Sequence, residues 1–200
     1  MDAGGLIAGL GNPGAEYSRT RHNLGFMVLE RLLRERERTG EVHRISGRKD
    51  VFELWKTRFA GTGGAGGEWL LCKPLTFMND SGAVLRAVSS YYRIAPENIL
   101  VVHDELDLPP GRMKMKKGGG SAGHKGVESI AQLLGTPEFF RLRIGIGKAP
   151  GNTLSFVLGR FSEAEAGVLD KCIAAAAESV LIFTRDGAAK AQQFCNSFSV

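Results

Sequence analysis

Residues 101–126, VVHDELDLPPGRMKMKKGGGSAGHKG, restrict the fold more than any other part of the chain. An apolar strand over 99–102 runs straight into His103 and Asp104. It delivers an acid at the end of a buried strand, a usual place for a group that orients a base. Pro109-Pro110-Gly111 then turns the chain, and residues 112–117 return as an alternating strand. Period-2 geometry puts Arg112, Lys114 and Lys116 on one face and Met113 and Met115 on the other. That ribbon calls for a mixed sheet, not a purely parallel one. A glycine-rich loop, 118–126, follows at once and ends in His124 and Lys125. Acid, basic ribbon and glycine loop together point to hydrolytic chemistry beside a phosphate-rich ligand.

The rest of the chain alternates strands with helices. Strands are expected at 6–10, about 51–59, 69–73 (broken by Pro74) and 139–147. Arg141 and Arg143 share one face of the last of these; Leu142, Ile144 and Ile146 share the other. Asn23 is placed to cap a helix whose stripe runs through Leu24, Met27, Val28 and Leu32 to near Gly40. Its charge run, 34–38, reads as a solvated face. Asp80 or Asn79 can cap a helix through Tyr92, and another helix covers about 127–134. Ser162-x-x-Glu165 is a capping box opening an alanine-rich helix to about Arg185. A short helix over 188–194 ends the pattern, and the glycine-rich stretch 61–67 reads as a turn. The fold class that follows is α/β. It is one domain over 1–200, a three-layer sandwich of a twisted mixed β-sheet with helices on both faces.

Composition narrows the setting. The 200 residues carry 43% hydrophobic side chains, enough for one sizeable core, and a formal net charge of +5. Cys72, Cys172 and Cys195 are odd in number and far apart, which reads as reduced thiols. No segment has a signal-peptide pattern or approaches a membrane span. The expected location is cytoplasmic.

Two short motifs mislead. Gly9-Leu10-Gly11-Asn12-Pro13-Gly14 matches the dinucleotide fingerprint, but no helix opens at its last glycine to receive a pyrophosphate. Gly119-Gly120-Ser121-Ala122-Gly123 matches the nucleophile elbow of esterases. The strand before it is basic, and no histidine lies well downstream. His22, between a turn and a helix, is a better candidate when paired with Asp104. A carboxylate on one imidazole nitrogen fixes the tautomer so that the other can accept a proton. With no well-placed nucleophilic Ser or Cys, the activated group is water.

Five blocks then carry a resemblance: GLGNPGAEYSRTRHNLGF (9–26), KPLTFMNDSG (73–82), HDELDLPPG (103–111), GGGSAGHKG (118–126) and RLRIGIG (141–147). In order and spacing the chain resembles bacterial-type peptidyl-tRNA hydrolases over essentially its whole length. The resemblance implies a monomer with no obligate protein partner, metal or cofactor. It implies a carboxylic ester hydrolase that frees tRNA from peptide after premature release from ribosomes. By position His22 is the base, Asp104 its orienting acid, and Asn12 the residue that helps tell N-blocked from free aminoacyl esters. Tyr17, Phe77, Met78 and Asn79 match positions near the substrate, while Lys114, Lys116 and Arg143 match cations that hold tRNA phosphates.

Bland readings stand beside these. Asn12 and Asn79 suit turn capping, and the cations could form an ordinary solvated face. One departure concerns Lys125, where the family has an asparagine that contacts substrate; lysine only donates hydrogen bonds and adds charge. That change is the one feature favouring a second reading, a catalytically reduced RNA-binding protein of intron-splicing type on the same scaffold. Asn12, His22, Asn79 and Asp104 favour the enzyme.

Overall fold

The computed structural model describes residues 3–45, 50–61 and 67–200. Along the chain the elements are β1 (Gly5–Gly9), α1 (Leu24–Arg38), β2 (Val42–Ile45), β3 (Phe52–Phe59), β4 (Gly67–Pro74), α2 (Ser81–Tyr92) and β5 (Ile99–Glu105). There follow β6 (Met113–Lys117), α3 (Lys125–Leu134), β7 (Phe140–Gly145), α4 (Thr153–Val157), α5 (Glu163–Asp186) and α6 (Ala188–Ser197). The strands form one sheet in the order β2-β3-β4-β1-β5-β7-β6. β1 is apolar throughout and therefore central, pairing in parallel with β4 and β5, and β5 pairs in parallel with β7. Antiparallel pairs close both sides, β2–β3–β4 and β6–β7. The sheet is mixed, as the Pro-Pro-Gly turn requires.

Alternation decides which helices cover which face. Ile7, Val102, Met115 and Leu142 point into the layer formed by α1, α5 and α6. Ala8 and Val101 point the other way, against Val84 and Leu85 of α2 and Val127 and Ile130 of α3. No helix among the described residues is long and apolar enough to cross a membrane.

The glycines of the misleading fingerprint have a packing role. A Cβ on Gly9 would lie 2.3 Å from the Gly25 carbonyl oxygen, and one on Gly25 would lie 2.3 Å from the Leu10 nitrogen. β1 and α1 thus touch backbone to backbone. After Gly14 the chain makes only 3-10 turns, Ala15–Tyr17 and Arg21–Asn23, and α1 starts at Leu24. No helix end is presented where a dinucleotide would need one.

Several elements differ from expectation. β2 and α4 are additional; β2 is short and partly polar, and α4 is only five residues long. Pro74 does not break β4 but closes it, as the last residue paired with Phe52. The apolar run ends at Val102, yet β5 continues through Asp104 and Glu105, both buried. Of the stretch 61–67 expected to turn, residues 62–66 lie outside the described residues.

Candidate active site

The ends of β1 and β5 converge with the turn before α1 at the carboxyl edge of the sheet, where parallel strands usually present ligand sites. β5 carries Asp104 there, buried. A 3-10 turn, Arg21–Asn23, brings His22 against it, with Nδ1 3.0 and 3.1 Å from the two carboxylate oxygens. A third residue joins them. His124, the N-cap of α3, places Nε2 3.1 Å from Asp104 Oδ1, and its Nδ1 accepts the Val127 N–H at 3.4 Å.

These bonds assign the protons. The Val127 N–H can only donate, so His124 holds its lone pair on Nδ1 and its proton on Nε2. Ionised Asp104 can only accept, so His22 is protonated on Nδ1 and its lone pair sits on Nε2. Burial alone would push the Asp104 carboxyl up. The imidazoles of His124 and His22, with their hydrogen bonds, instead hold it well below the usual carboxylate range. Asp104 is therefore a fixed anion that two histidines share.

Asn12 is held from three directions. Its backbone N–H donates to Asn23 Oδ1 at 2.8 Å, and Asn23 Nδ2 donates to its carbonyl at 2.9 Å. Its own Oδ1 accepts the Met78 N–H at 2.8 Å, which leaves the amide NH₂ to donate outward. Asn23 stands at the N-cap position of α1 but makes no capping bond; its side chain is spent on the Asn12 loop, next to His22. Met78 enters by its backbone N–H, because its side chain is buried in the core.

Tyr17 and Phe77 meet edge to face, with ring centroids 6.5 Å apart, and Phe77 is 57% exposed. Asn79 is exposed, and α2 has no side-chain cap, so capping does not account for it. Beside His22 lies a cavity of about 240 Å³, walled by Asp104, Leu106, His124, Leu154 and Val157. Lys125 stands at its rim with its ammonium 3.0 Å from Glu128, both side chains mostly exposed.

The cations form a block across β6 and β7, with Lys114 opposite Arg143 and Lys116 opposite Arg141. Lys114 is exposed and Lys116 half-buried, while Met113 and Met115 face the core as the alternation requires. Burial and the neighbouring Arg143 and Arg141 lower the Lys116 ammonium's pKa. Arg143 is not a free cation: its Nε donates to Glu105 Oε2 at 2.8 Å. Arg141 is only 2% exposed, and its η nitrogens donate to the carbonyls of Gly119 and Gly120 at 2.6 and 2.7 Å. It holds the glycine loop in place. Ser121 of that loop has no base, because both ring nitrogens of His124 are engaged elsewhere.

His22, Asp104 and His124 offer three ligand atoms within 4.8 Å of one another, the one such cluster among the described residues. A metal on His124 Nε2 would move the ring proton to Nδ1, against the Val127 N–H. The hydrogen bonds suit a base and its acid better than a cation. His103, the neighbour of Asp104, is fully buried; its Nδ1 donates to the Asp104 carbonyl at 2.7 Å and its Nε2 has no partner among the described residues. Burial, and then the His124 ring, lower its pKa well below the usual histidine value.

Sequence reasoning missed His124, Asn23, Arg141 and Glu105 as parts of this site. His124 had one signal, its place three residues before Val127, the first apolar residue of a helix, where capping side chains sit. The others are read only from partners distant in sequence.

Comparison with known proteins agrees over the whole length. Residues 6–200 match the family described as Peptidyl-tRNA hydrolase. The chain is 54% identical over 202 residues to the Peptidyl-tRNA hydrolase of Nitratidesulfovibrio vulgaris (strain DSM 19637 / Miyazaki F), covering 99% of this chain and 98% of that one. Against the enzyme of that name from Lawsonia intracellularis it is 43% identical over 203 residues, covering 100% and 96%. The crystal structure of peptidyl-tRNA hydrolase from Acinetobacter baumannii superposes with a TM-score of 0.85 at 35% identity, covering 100% of this chain and 98% of that chain.

Proposed function

The chain belongs to the peptidyl-tRNA hydrolase family, a class of carboxylic ester hydrolases, and from that premise we propose how its own residues carry the reaction. His22 takes a proton from water through Nε2, and the resulting hydroxide attacks the ester carbonyl between peptide and terminal ribose. Asp104 keeps the ring in the right tautomer and stabilises the imidazolium that forms. The amide NH₂ of Asn12, pre-oriented by Met78 and Asn23, is placed to donate to a carbonyl or to the developing oxyanion without titrating. Tyr17, Phe77 and Asn79 offer an exposed surface for the peptide end of the substrate. An ester needs no further activation, so no metal or cofactor enters the scheme.

Lys114 and Lys116, with Arg143 oriented by Glu105, form the phosphate-binding face for the acceptor stem and CCA end of tRNA. The protein acts as a monomer in the cytoplasm, without an obligate protein partner, and recycles tRNA released prematurely from ribosomes. The observation that carries the reading is the doubly shared Asp104, which leaves His22 with one free lone pair beside the cavity. Lys125, the residue that favoured the catalytically reduced alternative, pairs with Glu128 at the rim and leaves the base undisturbed. The test is His22→Ala: hydrolysis of an N-blocked aminoacyl-tRNA should be lost while tRNA binding persists. Near-parental turnover would refute water activation by this residue.

A further inference from the structure

Arg21, one residue before the base, is largely buried and held through both η nitrogens, while its Nε has no partner among the described residues. Its side chain is 11% exposed. One η nitrogen donates to the Arg160 carbonyl at 2.8 Å, and the other lies 2.9 Å from each carboxylate oxygen of Glu165. The guanidinium also stacks against two rings, with centroids of Phe156 at 4.4 Å and Phe161 at 5.1 Å. The backbone joins in. The Arg21 N–H donates to the Gly159 carbonyl at 3.0 Å, and Thr20 bridges to Arg160.

These partners all belong to 156–165, the segment that leaves α4 and enters α5. Helix α4 has five residues, too few to be stable alone. Its N-cap supplies one bond, Ser155 N–H to Asn152 Oδ1 at 3.0 Å. Phe156 of α4 lies on the guanidinium, while Leu154 and Val157 of the same helix wall the cavity beside His22. Glu165 does double duty, since its Oε2 also accepts the N–H and hydroxyl of Ser162 in the α5 capping box. One side chain thus ties together the turn carrying the base, the wall of the cavity and the first turn of α5. An apolar plug would give similar packing, but it would not fix all three in one relative position as a planar donor whose two η nitrogens reach two separate acceptors does.

We propose that Arg21 is a positioning residue that docks α4 against the His22 turn and so holds the cavity wall in place over the base. This rests on the assignment of His22 as base, although the docking itself is measurable without activity. Lysine keeps the charge but loses the fork and most of the stacking, so Arg21→Lys should undock α4 without emptying the core.

The experiment combines kinetics with hydrogen exchange on full-length Arg21→Lys and Glu165→Gln. In Arg21→Lys, kcat should fall on the order of tenfold or more through loss of orientation. KM for the tRNA substrate should stay within about twofold, because the phosphate-binding cations lie elsewhere. The acid limb of the pH–rate profile should not move, since the His22–Asp104 pair is intact. Amides of 153–159 should exchange faster while those of β5 and α1 keep their protection. Glu165→Gln, which leaves Arg21 without an anionic partner, should move the same readouts in the same direction by less. Parental kcat with unchanged exchange at 153–159 in Arg21→Lys would overturn the proposal. A uniform loss of protection across the chain would also overturn it, by making Arg21 an ordinary stability residue. If instead α4 undocks while His22→Ala still hydrolyses substrate, the docking stands and the base assignment fails.

Discussion

Replacing Asp104 by asparagine changes one oxygen to NH₂, and the hydrogen bonds around it determine which histidine suffers. The carboxylate accepts from His124 Nε2 at 3.1 Å and from His22 Nδ1 at 3.0 and 3.1 Å. A carboxamide keeps one acceptor oxygen, at the position both N–H groups already reach, but the NH₂ that replaces Oδ2 then lies against His22 Nδ1, donor against donor. His124 cannot change tautomer without setting Nδ1–H against the Val127 N–H. It therefore fixes the oxygen at the Oδ1 position, and His22 Nδ1 meets the NH₂ beside it. To accept that bond His22 must move its proton to Nε2, the nitrogen that has to receive the proton of water. The whole contribution of the general base is then lost, on the order of 10²–10⁴ in kcat. Single-turnover hydrolysis of N-blocked aminoacyl-tRNA, with unfolding checked in parallel, measures it. A variant within about threefold of the parent, well below that scale, would show that the tautomer does not depend on Asp104.

Three further outcomes follow from the same geometry. Lys114→Ala with Lys116→Ala should raise KM and flatten the dependence of log affinity on log salt by about one unit for each phosphate left without its cation. Unchanged tRNA binding at every salt concentration would reduce the two lysines to a solvated face. Lys125→Asn should keep activity and weaken the salt dependence of KM, because the lysine pairs with Glu128 at the rim; loss of turnover would give it a catalytic part. His103 is buried with its pKa lowered, so acid protonates it in the unfolded chain before the folded one. Stability should therefore fall as pH drops below the ordinary histidine value of 6.5, by up to about 1.4 kcal/mol per pH unit. Urea unfolding of parent and His103→Gln at about pH 7.5 and about pH 5.5 isolates this residue, the other histidines being common to both. A stability difference that stays the same at both pH values would contradict its burial as a neutral ring.

What the sequence discloses depends on how locally each feature is encoded. The capping box at Ser162 and Glu165 and the alternation of β6 are written in adjacent residues, and both appear as expected. β2 and α4 are too short to generate a period, so only their packing reveals them. Arg141 shares a face with Arg143, as the alternation has it, but its burial was not legible because the glycine-loop carbonyls brought to it lie 21 and 22 residues earlier in the chain. Asn23 illustrates the same limit. As a helix-start asparagine it reads as a cap, but the Asn12 loop, eleven residues earlier, claims its side chain. The His22–Asp104 pair was within reach because one residue type at a strand end and another at a helix start suggested partners. The role of His124 needed the distance to Asp104.

The order of the strands bears on how the protein is made. β7 lies between β5 and β6, although β6 precedes it in the chain. While a nascent chain is being synthesised, β6 therefore has no place in the sheet until β7 has been made and inserted. Its free margin waits longer still, because the Met115 N–H is satisfied by Asn196 Oδ1 at 3.2 Å and the Gly111 carbonyl by the Val200 N–H at 3.1 Å. His22 and Asp104 sit on the turn before α1 and on β5, which emerge early. The acid and base are thus translated well before the lysine ribbon is seated. A chain halted before α6 would carry His22 and Asp104 in a sheet whose lysine-bearing edge strand is still open, a form suited to clumping rather than to binding.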